Sequence, residues 1–141
     1  MTTIFSRIIG GELPGRFVWR DAECVAFLSI NPVQPGHTLV VPIAEVDQWT
    51  DLTPPQVGHL MTVAHHIGQA QLEVFRPARV GLLIAGFEVP HCHIHLIPVR
   101  GMQDLDLANA ATDPDPAELD RSADRLRTAL GAAGHGDLVA D

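Results

Sequence analysis

The run Pro90-His91-Cys92-His93-Ile94-His95-Leu96-Ile97-Pro98 constrains this chain more than any other stretch. Histidine recurs at every second position, apolar side chains fill the alternate ones, and prolines bracket both ends. In an extended strand successive side chains leave opposite faces. Cys92, Ile94 and Leu96 then enter a core, while His91, His93 and His95 share the other face. Three imidazoles a few ångströms apart are costly to bury unless solvent, a metal or a ligand meets them. Two readings of that face stay open at this point. One is a metal site, since strand histidines at i and i+2 suit zinc; the other is a phosphate site with a nucleophilic imidazole.

The elements around this run predict an α+β domain. Ile4 to Gly10 reads as a short helix with a glycine stop. Phe17–Arg20 and Cys24–Ile30 read as strands about an Asp21-Ala22-Glu23 turn, and His37–Pro42 as a buried strand. Thr53-Pro54-Pro55-Gln56 carries the N-cap, the early proline and the capping-box glutamine of a helix start. Val57, Leu60, Met61, Ala64, Ile67 and Phe75 continue it at helical spacing, giving one long helix over about 54–75. Val80–Ala85 is a strand too apolar for an exposed edge. Asp115-Pro116-Ala117-Glu118 reads as a second capping box, opening a C-terminal helix that stops at Gly131. Helices that do not alternate with the strands point to a mainly antiparallel sheet.

Composition narrows the function. The 141 residues suit one domain, and 46% hydrophobic residues supply a core. No apolar run approaches the roughly 18 residues a bilayer span needs, and the N-terminus lacks a signal-peptide pattern, so the chain is expected to be soluble and cytoplasmic. Seventeen acidic residues face nine basic ones, all arginine, for a net charge of −8. Such a surface argues against nucleic-acid binding, while screening over about 8 Å still permits a local phosphate pocket. Cys24 and Cys92 form no CxxC pair and read as two buried thiols. His59, His65 and His66 read as surface or packing residues, His135 as part of a frayed tail, and Asp104–Asp115 as a solvated loop.

His91 to Ile97 fits His-x-His-x-His-x-x with an apolar residue at each x, and so resembles the signature of the histidine triad (HIT) family of nucleotide hydrolases and transferases. Ile4–Ile9 with Glu12-Leu13-Pro14, Ala26–Pro32, Pro35–Pro42 and Glu88-Val89-Pro90 are similar to the family's other segments, in order over roughly residues 3–100. The resemblance implies a HIT domain over 1–110, with 111–141 as a C-terminal helical extension of the same domain. It implies a five-stranded antiparallel sheet with the long helix packed on it, a short N-terminal helix, and a homodimer without metal or other cofactor. The implied ligand is a nucleoside monophosphate conjugate, cleaved at the α-phosphate through a nucleotidyl-histidine. His93 corresponds to the nucleophile. His95 is assigned to protonating the leaving group, and His91 and His37 to orientation and phosphate contact. Phe5, Ile8, Leu13, Phe27, Ser29, Ile30 and Glu88 fall at nucleotide-binding positions. Three departures stand out: Ser29 replaces the usual ribose-binding acid, Phe87 replaces a glutamine in a shortened loop, and Thr3 and Ser6 replace the cysteines of a zinc site found in some members. A binding or scaffold protein that has lost turnover, and a histidine-ligated metalloprotein, remain as alternatives.

Overall fold

The computed structural model describes residues 2–139, so the extreme ends of the 1–110 and 111–141 ranges lie outside it. The elements are α1 (Ile4–Ile9), β1 (Phe17–Arg20), β2 (Cys24–Leu28), β3 (Thr38–Pro42), α2 (Pro54–Phe75), β4 (Arg79–Leu83), β5 (Ile94–Val99) and α3 (Pro116–Leu130). Short 3₁₀ turns at Met102–Leu105 and Leu107–Asn109 follow β5. The five strands form one antiparallel sheet in the order β1-β2-β3-β5-β4.

Both faces of the sheet are covered, so β2, β3 and β5 are buried throughout. On one face α2 and α3 pack Leu60, Val63, Ile67, Leu126 and Leu130 against Ala26, Val40, Cys92, Ile94 and Leu96. On the other, α1 lays Phe5 over Phe17, Phe27, Leu39 and Val41. Further along that second face, Leu105 and Leu107 from the 3₁₀ turns, with Ala110 just after them, cover Val33, Ile97 and Val99. Between those two covers the histidine face of the sheet is left open.

The long helix spans the expected residues because its start is built as its sequence suggests. Thr53 Oγ1 accepts from Gln56 N, and Gln56 Oε1 accepts from Thr53 N. Four expectations need correction. Residues 79–83 are an edge strand after all, with Arg79 and Leu82 exposed; apolar content marked a surface left uncovered in one chain rather than a buried strand. The triad run is strand only from Ile94, although its side chains alternate from His91 onward. Asp115 caps α3 by accepting from Ala117 N, but Glu118 turns outward to Arg121 instead of reaching back. His135 is not frayed: its ring lies 4.2 Å from that of His66 and 5.4 Å from that of Trp19, and this stack closes the chain's end against α2.

Gly36 places the loop before β3. Its φ of +87° is open to glycine at no cost, and a methyl group there would collide with the Phe75 ring at the end of α2. Gly36→Ala should therefore destabilise the fold by about 2 kcal/mol or more. Urea unfolding at neutral pH measures this, and an unchanged midpoint would contradict it.

Candidate active site

A cavity of about 290 Å³ opens on the histidine face, at the small end for a ligand site. Its polar groups are His37, His93, His95, Ser29, Asn31 and Glu88, and its apolar wall includes Phe5, Ile8, Phe27 and Ile30. Leu13 does not line it; Pro14 and Gly15 take that part of the wall. A larger groove of about 780 Å³ runs between α2 and α3, but none of the triad lines it. Sequence reasoning missed Asn31, Leu107 and Ala110. Asn31 Nδ2 donates to Ala111 O, and Ala111 N donates to Pro32 O, so the acidic segment is tied to the rim with Leu107 and Ala110 facing the cavity. The leucines and alanines interleaved with the aspartates of that run were the available signal.

The protons of the site follow from its hydrogen bonds. A backbone amide only donates, so Val33 N–H at 3.1 Å makes His37 Nδ1 an acceptor. The His37 proton is then on Nε2, which donates to His95 Nδ1 at 2.9 Å. That leaves the His95 proton on Nε2, a buried atom without a hydrogen-bond partner. His93 Nδ1 donates to the His91 carbonyl at 2.7 Å, so His93 Nε2 carries the lone pair, 3.5 Å from Glu88 Oε2. Burial and the neighbouring His95 and His93 push His37 down to about 3. Burial and His93 push His95 down to about 4, with Glu88 acting the other way.

His91 is fully buried and does not line the cavity. Its Nε2 donates to the Pro42 carbonyl at 2.8 Å, and its Nδ1 accepts from the Thr3 hydroxyl at 2.7 Å. Burial lowers its pKa, against the pull of the Pro42 carbonyl. Both nitrogens of its ring are thus taken within the protein, and its carbonyl accepts the His93 Nδ1 proton. Thr3 also caps α1 through Ser6 N, while Ser6 Oγ and Thr3 N both donate to Glu45. Protein groups thus satisfy both ring nitrogens of His91 and of His37, while His95 Nε2 is left without a partner.

The same bonds test the fit of a metal. With both nitrogens taken, His91 cannot join a three-histidine site. Glu88, His93 and His95 converge closely enough to share an ion. The donor chain from Val33 keeps a proton on His95 Nε2, however, and leaves only two ligands where zinc ordinarily takes at least three from protein. Asp21, Cys24 and His59 also converge. There His59 bridges Asp21 and Glu23, and the Cys24 sulfur points at Asp21. Burial, then Asp21 and Glu23, push the Cys24 thiol up, away from the thiolate a metal needs. Neither set fits.

The HIT domain model matches residues 10–102. The chain belongs to the histidine triad family. Among curated relatives, the protein hit of Bacillus subtilis is 33% identical over 106 residues, covering 72% of this chain and 73% of its own length. The asymmetrical bis(5′-nucleosyl)-tetraphosphatase of Schizosaccharomyces pombe is 35% identical over 85 residues, 57% of this chain and 47% of that enzyme. Among solved structures, a zinc-bound histidine triad protein of Mycobacterium smegmatis superposes with a TM-score of 0.81 at 27% identity, over 96% of this chain and 98% of that one. The HIT fold of this chain is therefore shown in full, with its long helix and both flanking helices. No helix among the described residues is long and apolar enough to cross a membrane.

Burial of neutral rings gives this HIT domain an acid sensitivity. Burial pushes His37 down to about 3 and His95 down to about 4 in the fold, against about 6.5 for an unfolded chain. Below about pH 6.5 the unfolded chain binds more protons, so this contribution is complete above that pH and is lost progressively towards pH 4. Urea midpoints measured from pH 7.5 to 4.5 should fall, and His37→Gln should flatten the fall. A midpoint independent of pH over that range would sink the argument.

Proposed function

We propose that this chain is a nucleotide hydrolase or transferase acting at the α-phosphate of a nucleoside phosphate conjugate, through a nucleotidyl-His93 intermediate. The observation that carries this reading is the His93 ring. Its Nδ1 proton is held by the His91 carbonyl, and its Nε2 lone pair faces the cavity. An imidazole held in this way attacks phosphorus without first losing a proton, and its fixed orientation removes part of the entropic barrier. His95 Nε2–H is a ready donor to a phosphate oxygen in a buried setting, where such a bond is strong. Phe5 and Phe27, packed edge to face, offer an apolar wall for a base. Ser29 is left to make one hydrogen bond where an acid would hold both ribose hydroxyls. The name of the fission yeast relative, a dinucleotide tetraphosphatase, supports chemistry of this class.

The assembly we propose is a homodimer. The exposed β4 edge carries Leu82, 42% exposed, and α2 exposes Met61 and Leu72. An unpaired apolar edge is a surface that proteins cover. Sedimentation at micromolar concentration should give the mass of two chains, and the mass of one would count against it.

His93→Ala should lower turnover of an adenosine or guanosine phosphoramidate by at least about a thousandfold. The ring faces the cavity, so the fold and nucleotide binding should persist. Single-turnover mass spectrometry should find one nucleoside monophosphate on the wild-type peptide carrying residues 80–100, and none on the variant. Wild-type turnover by His93→Ala would remove the nucleophile assignment. Nucleotide binding without hydrolysis in the wild type would replace the enzyme with a binding protein. Ser29→Asp should lower KM by restoring a ribose contact.

A further inference from the structure

The proton inventory leaves one step of that chemistry without a donor. His95 was the expected acid, yet its Nε2 proton has no replacement. His95 Nδ1 accepts from His37 Nε2, and His37 Nδ1 accepts from an amide that cannot give up its hydrogen. Releasing the His95 proton would leave an imidazolate on one of the two rings. His95 and His37 therefore donate hydrogen bonds and keep their protons. His91 is closed off by Thr3 and Pro42. His93 has its only proton on the far nitrogen, bound to the His91 carbonyl.

Of the groups lining the cavity, one titratable side chain remains. Glu88 is half-exposed, and its Oε2 lies 3.5 Å from His93 Nε2, the reacting atom. Among the described residues no other carboxylate lines the cavity, and no arginine does. Nothing there is placed to hold Glu88 permanently as a charged partner. It follows Gly86, whose φ is +91°, and the fully exposed Phe87, so it sits on a turn at the cavity mouth and not on a packed strand. Its Oε2 is thus the one carboxylate oxygen among the described residues that lines the cavity within reach of His93 Nε2.

We propose that Glu88 is the acid–base residue of this site, a proposal that rests on the reading of His93 above. As His93 Nε2 bonds to the α-phosphorus, the bond from phosphorus to the leaving atom breaks. The electron pair stays on that atom, which takes the proton of the Glu88 carboxyl. The carboxylate then accepts a proton from water as the water oxygen bonds to phosphorus. The pair of the phosphorus–nitrogen bond returns to His93, and Glu88 is protonated again. Every proton is accounted for, and none is drawn from His37, His91 or His95.

The experiment compares two leaving groups. The alkylamine of an adenosine 5′-phosphoramidate must be protonated to leave; the phenolate of an adenosine 5′-(4-nitrophenyl phosphate) need not be. Glu88→Gln keeps the size of a side chain already half in solvent, so folding is not at stake. Its kcat on the alkylamine conjugate should fall at least about a hundredfold. With the nitrophenyl ester, the burst of nitrophenolate should survive within a few-fold. The nucleotidyl enzyme should then accumulate on the peptide carrying residues 80–100, because water is no longer deprotonated. Formate should restore turnover to Glu88→Ala, where it has room to replace the carboxyl. Equal losses on both substrates without accumulation would overturn the assignment, as would wild-type rates on both. In either case a wild type that forms the adduct leaves the His93 reading intact. A wild type that forms no adduct from either compound overturns both.

Discussion

An amide can only donate a hydrogen bond, and the amide of Val33 meets His37 Nδ1 inside the fold. That constraint travels through two rings and ends as a fixed N–H on His95 facing the cavity. It depends on the loop that carries Val33 and His37, which several elements clamp. His37 N donates to Gln34 O, Thr38 Oγ1 donates to Gly36 O, and Gly36 turns the chain where no side chain fits. From the opposite face of the sheet, Gln71 Nε2 on α2 donates to both Gly36 O and Leu96 O. Those carbonyls precede His37 and follow His95 in the chain, so the long helix holds the two strands at the point where the two imidazoles meet. A buried amide serving two carbonyls is expensive to leave unpaired, and its cost enforces the register.

The other half of the site is anchored through His91. Its ring joins Pro42 at the end of β3 to Thr3 at the start of α1, and its carbonyl takes the His93 proton. Thr3 and Ser6 gather with Glu45 through hydrogen bonds. The hydrogen bonds of Glu45, led by the one from Thr3 N, lower its pKa and keep it an acceptor for both residues. The N-terminal helix is thereby fixed over the apolar wall of the cavity, with Phe5 against the rings of His91 and His93.

What the sequence disclosed was whatever is local or periodic. The long helix was legible to its ends because its capping box lies within four residues. The facing of His91, His93 and His95 was legible because alternation holds even before the backbone joins the ladder. The position of 79–83 at the sheet edge was not, because strand order depends on partners far apart in the chain. Nor was the inward turn of His91, set by a carbonyl 49 residues away. The same holds for His135, whose stack with Trp19 and His66 joins three distant segments. Leu13 was misplaced by one or two residues because a turn around Pro14 and Gly15 decides which side chain reaches the wall.

The cavity would hold an anion without a cation to pair with it, in a protein of net charge −8. Attraction must then come from dipoles already paid for by folding, chiefly the His95 N–H, buried and aimed at the open space. A neutral donor in a low-dielectric site stabilises charge that develops on a phosphate oxygen more than charge spread over a hydrated polyphosphate. It does so without passing a proton to the neighbouring His93 Nε2. The same economy explains why burial of His37 and His95 is tolerated although it makes the fold sensitive to acid. A pair of histidines that ionised at neutral pH would attract an anion more strongly, yet would lose the directed hydrogen bonds that keep His95 Nε2 a donor beside the lone pair of His93 Nε2.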